Sequence, residues 1–221
     1  MHDLVILFDV DNTLLNNDRV QADLDVHIGI EHGATARNRY WEIFEQLRSE
    51  LGYADYLGAL ERYRLEDLHD PRLLRISNWL ADYPFVDRLY RGALDAVAHA
   101  KQWAPVVILS DGDAVFQPRK VDRSGLWKAF DGNVLIFIHK EQSLDDVERL
   151  YPANHYVMID DKLRILDSMK KSWGDRLTTV FPKQGHYATD PKTLAEYSHG
   201  DIQLEGIGDL VKYELAELLK R

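Results

Sequence analysis

The 221-residue sequence contains no cysteine. Disulfides, Cys-ligated zinc, iron–sulfur clusters and thiol nucleophiles are therefore excluded, and a chain of this length can bury a core without such staples. Long apolar runs are missing too. The first run, Leu4 to Phe8, has no basic segment before it and is broken at Asp9, which reads as no signal peptide. Nothing approaches the ~18 apolar residues that a membrane span needs. Positive charge is the third shortage: 27 Lys and Arg stand against 37 Asp and Glu, a formal net charge of −10. Nucleic-acid binding rests on clustered cations, so no nucleic acid is expected as main partner. A soluble, cytoplasmic protein without membrane attachment is the expectation, and oligomeric state is not legible.

What is present is a rhythm of short apolar runs. Leu4 to Phe8 is continuously apolar, as suits a parallel strand covered on both faces. Similar runs recur at Pro105 to Leu109, Val134 to Ile138, Tyr156 to Ile159 and Leu177 to Phe181, with helical segments between them. This predicts an α/β fold, a doubly wound parallel-sheet (Rossmann-like) core. Between Asn16 and about Arg91 no strand is legible, but Arg39 to Leu51, Tyr53 to Arg64 and Arg72 to Leu80 are amphipathic. An all-helical insert, punctuated by Gly52, Pro71 and Pro84, splits the core into residues 1–16 and 92–221 around a unit of residues 17–91. Helix resumes over Ala93 to Lys101. Ser143-Leu144-Asp145-Asp146 has the form of a capping box, and Gly174 stands as a stop after a helix over Leu163 to Trp173. Ile202 to Leu204 reads as an edge strand and Asp209 to Leu219 as a closing helix.

Four places carry chemistry, each with an ordinary alternative. Asp9-Val10-Asp11-Asn12-Thr13 ends the first strand, where ligands bind in such sheets. Its two carboxylates, on one face of an extended chain, can attack a phosphorus and serve the leaving oxygen, or simply end a strand in a turn. Ser110, followed by Asp111, ends the second strand; it is either an anion site with the backbone N–H groups of the next helix or a helix cap. Lys140 follows the third strand as a neutralising cation or a solvated surface residue. Asp160-Asp161 ends the fourth. Adjacent acids repel unless a hard divalent cation such as Mg²⁺ sits beside them, and the alternative is a helix cap.

All four fall at carboxyl ends of predicted parallel strands. In this order, Asp-x-Asp-x-Thr, Ser, Lys, Asp-Asp, the sequence resembles the haloacid dehalogenase-like (HAD) superfamily in its phosphatase branch, over residues 4 to 15 and 92 to 182. The resemblance implies an α-helical cap domain for the insert and a phosphatase acting on a small phosphorylated metabolite through an aspartyl phosphate. It implies Asp9 as nucleophile and Asp11 as acid/base. Mg²⁺ is implied on the Asp9 carboxylate, the Asp11 carbonyl and Asp161, with Asp160 behind or in its place. Ser110, Asp111 and Lys140 are implied as substrate-binding residues at the phosphoryl group, with Asn12 adding a donor and Lys140 counted among the catalytic residues as well. Family dehalogenases need neither metal nor a leaving-group proton and lack the second Asp, so Asp11 points to phosphorus. A phosphomutase uses the same residues. A non-enzymatic phosphoacceptor places its Asp, hydroxyl and Lys in a different order.

Seven insert arginines, Arg37, Arg39, Arg48, Arg62, Arg64, Arg72 and Arg75, are substrate contacts or solvated faces. Its aromatics Tyr40, Trp41, Phe44, Tyr53 and Tyr56 read as bundle core. The segment Phe181 to His186 is placed on the active edge.

Overall fold

The computed structural model describes residues 1–66, 68, 70–214, 217 and 219. Six strands form one wholly parallel sheet: β1 (His2–Phe8), β2 (Val106–Asp111), β3 (Val134–Phe137), β4 (Ala153–Ile159), β5 (Leu177–Pro182) and β6 (Ile202–Leu204), in the order β3-β2-β1-β4-β5-β6. Continuous apolar character produces this arrangement because both faces of the central strands are covered. Leu4, Ile6 and Phe8 enter one hydrophobic core while Val5 and Leu7 enter another on the opposite face. β4 divides in the same way, Val157 and Ile159 against Tyr156 and Met158. The chain winds outward from β1 through β2 to β3, then returns to β4 on the other side of β1. The carboxyl end of β1 is thus the point where the winding reverses, where open α/β sheets bind ligands.

Helices α1 (Asn17–His32), α2 (Ala34–Leu51), α3 (Tyr56–Arg64) and α4 (Leu73–Asp82) occupy the expected helical segment, followed by a 3-10 turn at Phe85–Arg88. α1 is not among the amphipathic stretches read above; its buried side Val20, Leu24 and Ile28 is flanked by exposed Val26 and Ile30, which blurs the periodicity. The strands leading in and out of the segment run side by side: Asn16 N–H donates to Arg88 O at 2.8 Å and Tyr90 N–H to Leu14 O at 2.9 Å. Tyr40, Phe44 and Tyr56 are core as expected, whereas Tyr53 is only half-buried.

The remaining helices are α5 (Ala93–Ala100), α6 (Phe116–Arg123), α7 (Leu126–Ala129), α8 (Leu144–Leu150), α9 (Leu163–Trp173) and α10 (Pro191–Glu196). Gly174 does end α9, its N–H bonding Lys170 O. The expected capping box at Ser143 does not form. The Ser143 hydroxyl donates instead to His139 O at 3.3 Å, bracing the 3-10 turn Lys140–Gln142. The expected closing helix is a 3-10 helix over Ile207–Lys212, and most of the expected helix beyond Glu214 lies outside the described residues. Among the described residues, no helix is long and apolar enough to cross a membrane.

The loop after β5 folds back onto β1's end. Gln184 Nε2 donates to the carbonyls of Asn12 (3.0 Å) and Thr13 (2.5 Å), and Gly185 sits at φ +74° with its Cα against Asn12. A Cβ there would stand 2.6 Å from Asn12 Cβ. Gly185→Ala is expected to cost about 1–2 kcal/mol from the left-handed backbone before any clash is counted. That corresponds to a Tm roughly 2–8 °C lower for a chain of this size, readable in a thermal melt; an unchanged Tm would contradict this account of the loop.

Candidate functional site

Three carboxylates meet where β1 and β4 end. Asp9 follows β1, with its N–H on Ile159 O (2.9 Å), and Asp160 follows β4, with its N–H on Val180 O (3.1 Å). Asp161 N–H donates to Thr13 Oγ1 at 3.0 Å, so the first and fourth motifs are tied through Thr13. Ligand atoms of Asp9, Asp160 and Asp161 all lie within 4.8 Å of one another, and all three side chains are buried.

Lys140 is the internal counter-charge. It is fully buried, with Nζ 2.5 Å from Asp9 Oδ1 and 2.6 Å from Asp160 Oδ2. Burial alone would lower its pKa, but the Asp160, Asp9 and Asp111 charges outweigh that and raise it, so it is held as a cation. One cation in contact does not balance three anions, although the charge of Lys162 nearby also favours the ionised forms of Asp160 and Asp161. Burial pushes the Asp160 carboxyl up to about 6 against the opposing pull of Lys140, and burial with Asp160 alongside pushes Asp161 well above the usual carboxylate range. Both Asp161 oxygens and Asp9 Oδ2 are buried without a hydrogen-bond partner. Asp160 is better satisfied, accepting from Lys162 N–H at 2.8 Å on its other oxygen. Orphaned carboxylate oxygens converging in a dry site fit a hard divalent cation.

The other expected residues are placed differently. Asp11 is directed to Lys120, whose Nζ donates to its two oxygens at 2.7 and 2.9 Å and to Asn17 Oδ1 at 3.1 Å. Its carboxylate is outside the three-acid cluster. Ser110 is buried beside Asp9, accepting from Gln117 Nε2 at 3.0 Å and lying 3.4 Å from Asp9 Oδ1, a long contact that leaves its hydroxyl free to turn to a ligand. It is not a helix cap: Asp113 Oδ1 accepts from Val115 and Phe116 N–H (2.8 and 2.6 Å), so those helix-start donors are already taken. Asp111 accepts from Lys140 N–H at 2.7 Å and so fixes the turn carrying Lys140; burial raises its pKa. Asn12 is committed to the backbone. It stands at φ +59°, its N–H donates to Leu15 O (2.6 Å), and its Oδ1 accepts from Asn17 and Asp18 N–H at the start of α1.

Lys120, Asn17, Gln117 and Lys162 were not singled out by the sequence. A buried face of α6 built from Phe116, Gln117, Lys120 and Val121 was the available signal, since it mixes polar residues into an inward stripe. Rings of Tyr56 and Phe116 flank Lys120 at 5.9 and 5.4 Å, joining the helical segment to the core beside Asp11. Arg37, Arg39, Arg62, Arg64, Arg72 and Arg75 form ion pairs on the surface of that segment, with Asp25, Glu66, Glu50, Glu61, Asp70 and Glu31 respectively.

With this sheet and this acidic cluster in view, comparison with known proteins gives the family. A model for haloacid dehalogenase-like hydrolases matches residues 4–172, and the chain belongs to that family. A crystal structure described as a haloacid dehalogenase-like hydrolase from Burkholderia xenovorans LB400 is 63% identical, with TM-score 0.94, covering 97% of this chain and 100% of that one. L-2-haloacid dehalogenase from Xanthobacter autotrophicus shares the fold at 19% identity and TM-score 0.64, over 96% of this chain and 98% of its own. A HAD hydrolase from Bacillus subtilis, solved bound to magnesium, does so at 15% identity and TM-score 0.63, over 96% and 98%. No curated protein matches the sequence.

The charge imbalance has a measurable cost. In protein treated with a chelator, Asp161→Asn is expected to stabilise the fold at pH 7.5 by roughly 1–3 kcal/mol, because it removes an unpaired buried charge. A carboxyl whose folded pKa is raised binds more protons when folded, so between its unfolded value and its folded one native stability falls as pH rises. The gain from the substitution should therefore shrink as pH falls toward the ordinary carboxylate range, because the raised Asp161 carboxyl takes up its proton on the way down. Paired thermal melts across that range test this; a gain that is absent at pH 7.5, or constant with pH, counts against it.

Proposed function

We propose that this hydrolase is a Mg²⁺-dependent phosphatase of a small phosphorylated metabolite, working through an aspartyl phosphate on Asp9. The observation that carries the reading is Asp11, an additional carboxylate two residues after Asp9, beside a buried acidic cluster whose Asp161 oxygens have no partner. Asp9, Asp161 and the Asp11 main-chain carbonyl are the groups that would hold the ion, with Asp160 behind them against Lys140. Bound there, Mg²⁺ cancels the repulsion between a nucleophilic carboxylate and a phosphoryl dianion. Residues 1–16 and 92–221 form the core in this reading, and residues 17–91 a helical cap whose linkers pair at Asn16 and Arg88.

Asp9 retains one oxygen free of hydrogen bonds while Lys140 holds the other. That free oxygen forms a bond to phosphorus as the ester P–O bond breaks, and Asp11 gives its proton to the departing alkoxide. Asp11 then takes a proton from water attacking the phosphoryl group, which releases inorganic phosphate and restores Asp9. Ser110 and Lys140 meet the phosphoryl oxygens, and Lys120 with Asn17 fixes where Asp11 can point. The dehalogenase alternative draws on the fold's solved L-2-haloacid dehalogenases. A halide leaves as an anion and takes no proton, so that chemistry gives Asp11 no task.

Steady-state turnover of para-nitrophenyl phosphate and of an alkyl phosphate, with and without Mg²⁺, tests the proposal beside halide release from 2-chloropropionate. Multiple Mg²⁺-dependent turnovers are expected, with Asp9→Asn lower by at least ~10³-fold. Asp11→Asn should cost ~10²–10⁴-fold on the alkyl ester and less on the aryl ester, whose leaving group needs little protonation. Metal-independent halide release without phosphate release would replace this reading with the dehalogenase one.

A further inference from the structure

The space next to Asp11 has a charge of its own. An inner crevice of about 70 Å³ lies between α1, the end of α2 and the link Gly52 to Ala54 on one side and the core loops on the other, and Asp11, Arg48, Lys162 and Tyr187 are among its lining residues. It adjoins an outer groove of about 390 Å³, and Arg48, Gly52, Lys162 and Tyr187 line both. A group leaving toward Asp11 enters the inner crevice, whose lining residues Arg48 and Lys162 also line the outer groove.

The anions of this crevice are already spent. Asp11 is held by Lys120, and Asp18, beneath His186, accepts from that residue's N–H and ring at 2.8 and 2.6 Å. The cations are not. Lys162 is half-buried, with no carboxylate within 4.0 Å among the described residues, and its Nζ lies 5.5 Å from the centre of the Tyr187 ring. The Arg48 guanidinium meets Glu45 at 3.2 Å on an exposed helix face, a pair weak enough to exchange for a ligand. In a chain of net charge −10, the passage out of the site carries surplus positive charge.

We infer that Lys162 and Arg48 form an anion subsite for the leaving group, so that the substrate is the phosphate monoester of a short hydroxy acid, its carboxylate held between core and helical segment. This rests on the phosphatase reading and names the class of ester within it. Lys162 lies on the core side next to the acid pair, and Arg48 lies near the end of α2, so a carboxylate bridging them draws the two parts of the molecule together over Asp11. A neutral leaving group offers nothing to either cation.

The test compares 2-phosphoglycolate with ethyl phosphate, which has the same phosphoryl group and two carbons but no carboxylate. The acid is expected to exceed the neutral ester in kcat/KM by about 10–100-fold, and Lys162→Met to remove at least tenfold of that ratio, as expected for loss of a bond to a charged group. Arg48→Met should lower the ratio in the same direction. Lys162→Arg should keep part of it, which a purely structural lysine would not do. A ratio near one in the native protein, or equal losses on both esters in Lys162→Met, overturns the subsite. Ethylene bisphosphate turned over faster than 2-phosphoglycolate overturns the carboxylate in favour of a second phosphate. Binding is read separately, by calorimetric titration of the Asp9→Asn protein with the same two esters. Turnover of both at equal efficiency and equal affinity removes the subsite and leaves the phosphatase standing. A tenfold binding preference for the acid without turnover of any phosphate ester removes the phosphatase and leaves the subsite.

Discussion

Three buried carboxylates share one buried lysine, and much of the site's architecture follows from that imbalance. Asp9 and Asp160 divide Lys140 between them at 2.5 and 2.6 Å, leaving Asp161 with two oxygens and no donor. Like charges that close in a dry setting repel strongly, so the arrangement is held against its own electrostatics by the sheet that carries it. β1 and β4 are hydrogen-bonded neighbours over Leu4–Phe8 and His155–Ile159 and are buried on both faces, which fixes the backbone from which these acids project. Stability invested in the strands is what allows an unfavourable cluster to persist at their ends.

That division of labour explains which parts of the molecule were legible in the sequence. The strands were, because parallel strands covered on both faces have an unbroken apolar signature, and each of the five core runs lies on an observed strand to within three residues at either end. The short edge strand Ile202–Leu204 was legible too, being apolar residues between turn formers. The acids at the strand ends followed from the strands themselves. α1 was not recognisable as amphipathic, since its outward face carries Val26 and Ile30. Ser143 shows another limit: a capping box is a statement about local composition, and a nearby carbonyl at His139 competed successfully for the same hydroxyl.

The site's polar partners were the least legible part. Nothing in the spacing marks Lys120 as the partner of Asp11, because they are 109 residues apart and meet only once α6 packs beside the start of α1. Asn12 illustrates the reverse case. As a residue type it offered a donor, but the chain must turn sharply after the first motif, and Asn is tolerated at φ +59° while its side chain caps α1. Its bonding capacity is used in making the turn. Asp111 is similar, since it carries charge near the site yet spends it on the backbone of Lys140.

Charge also differs in kind between the two levels of the site. Around Asp9 the excess is negative and buried, which suits a metal ion and, through it, a phosphoryl group. Above Asp11 the excess is positive and partly open, from Lys162 and Arg48. The two excesses are of opposite sign, and Lys162 is adjacent in sequence to the acid pair. A ligand that is negative at both ends is accommodated at both levels only if the lower one is first made positive. In the phosphatase reading the ion would therefore do more than activate Asp9: it would convert a gradient that repels such a ligand's phosphoryl end into one that receives it.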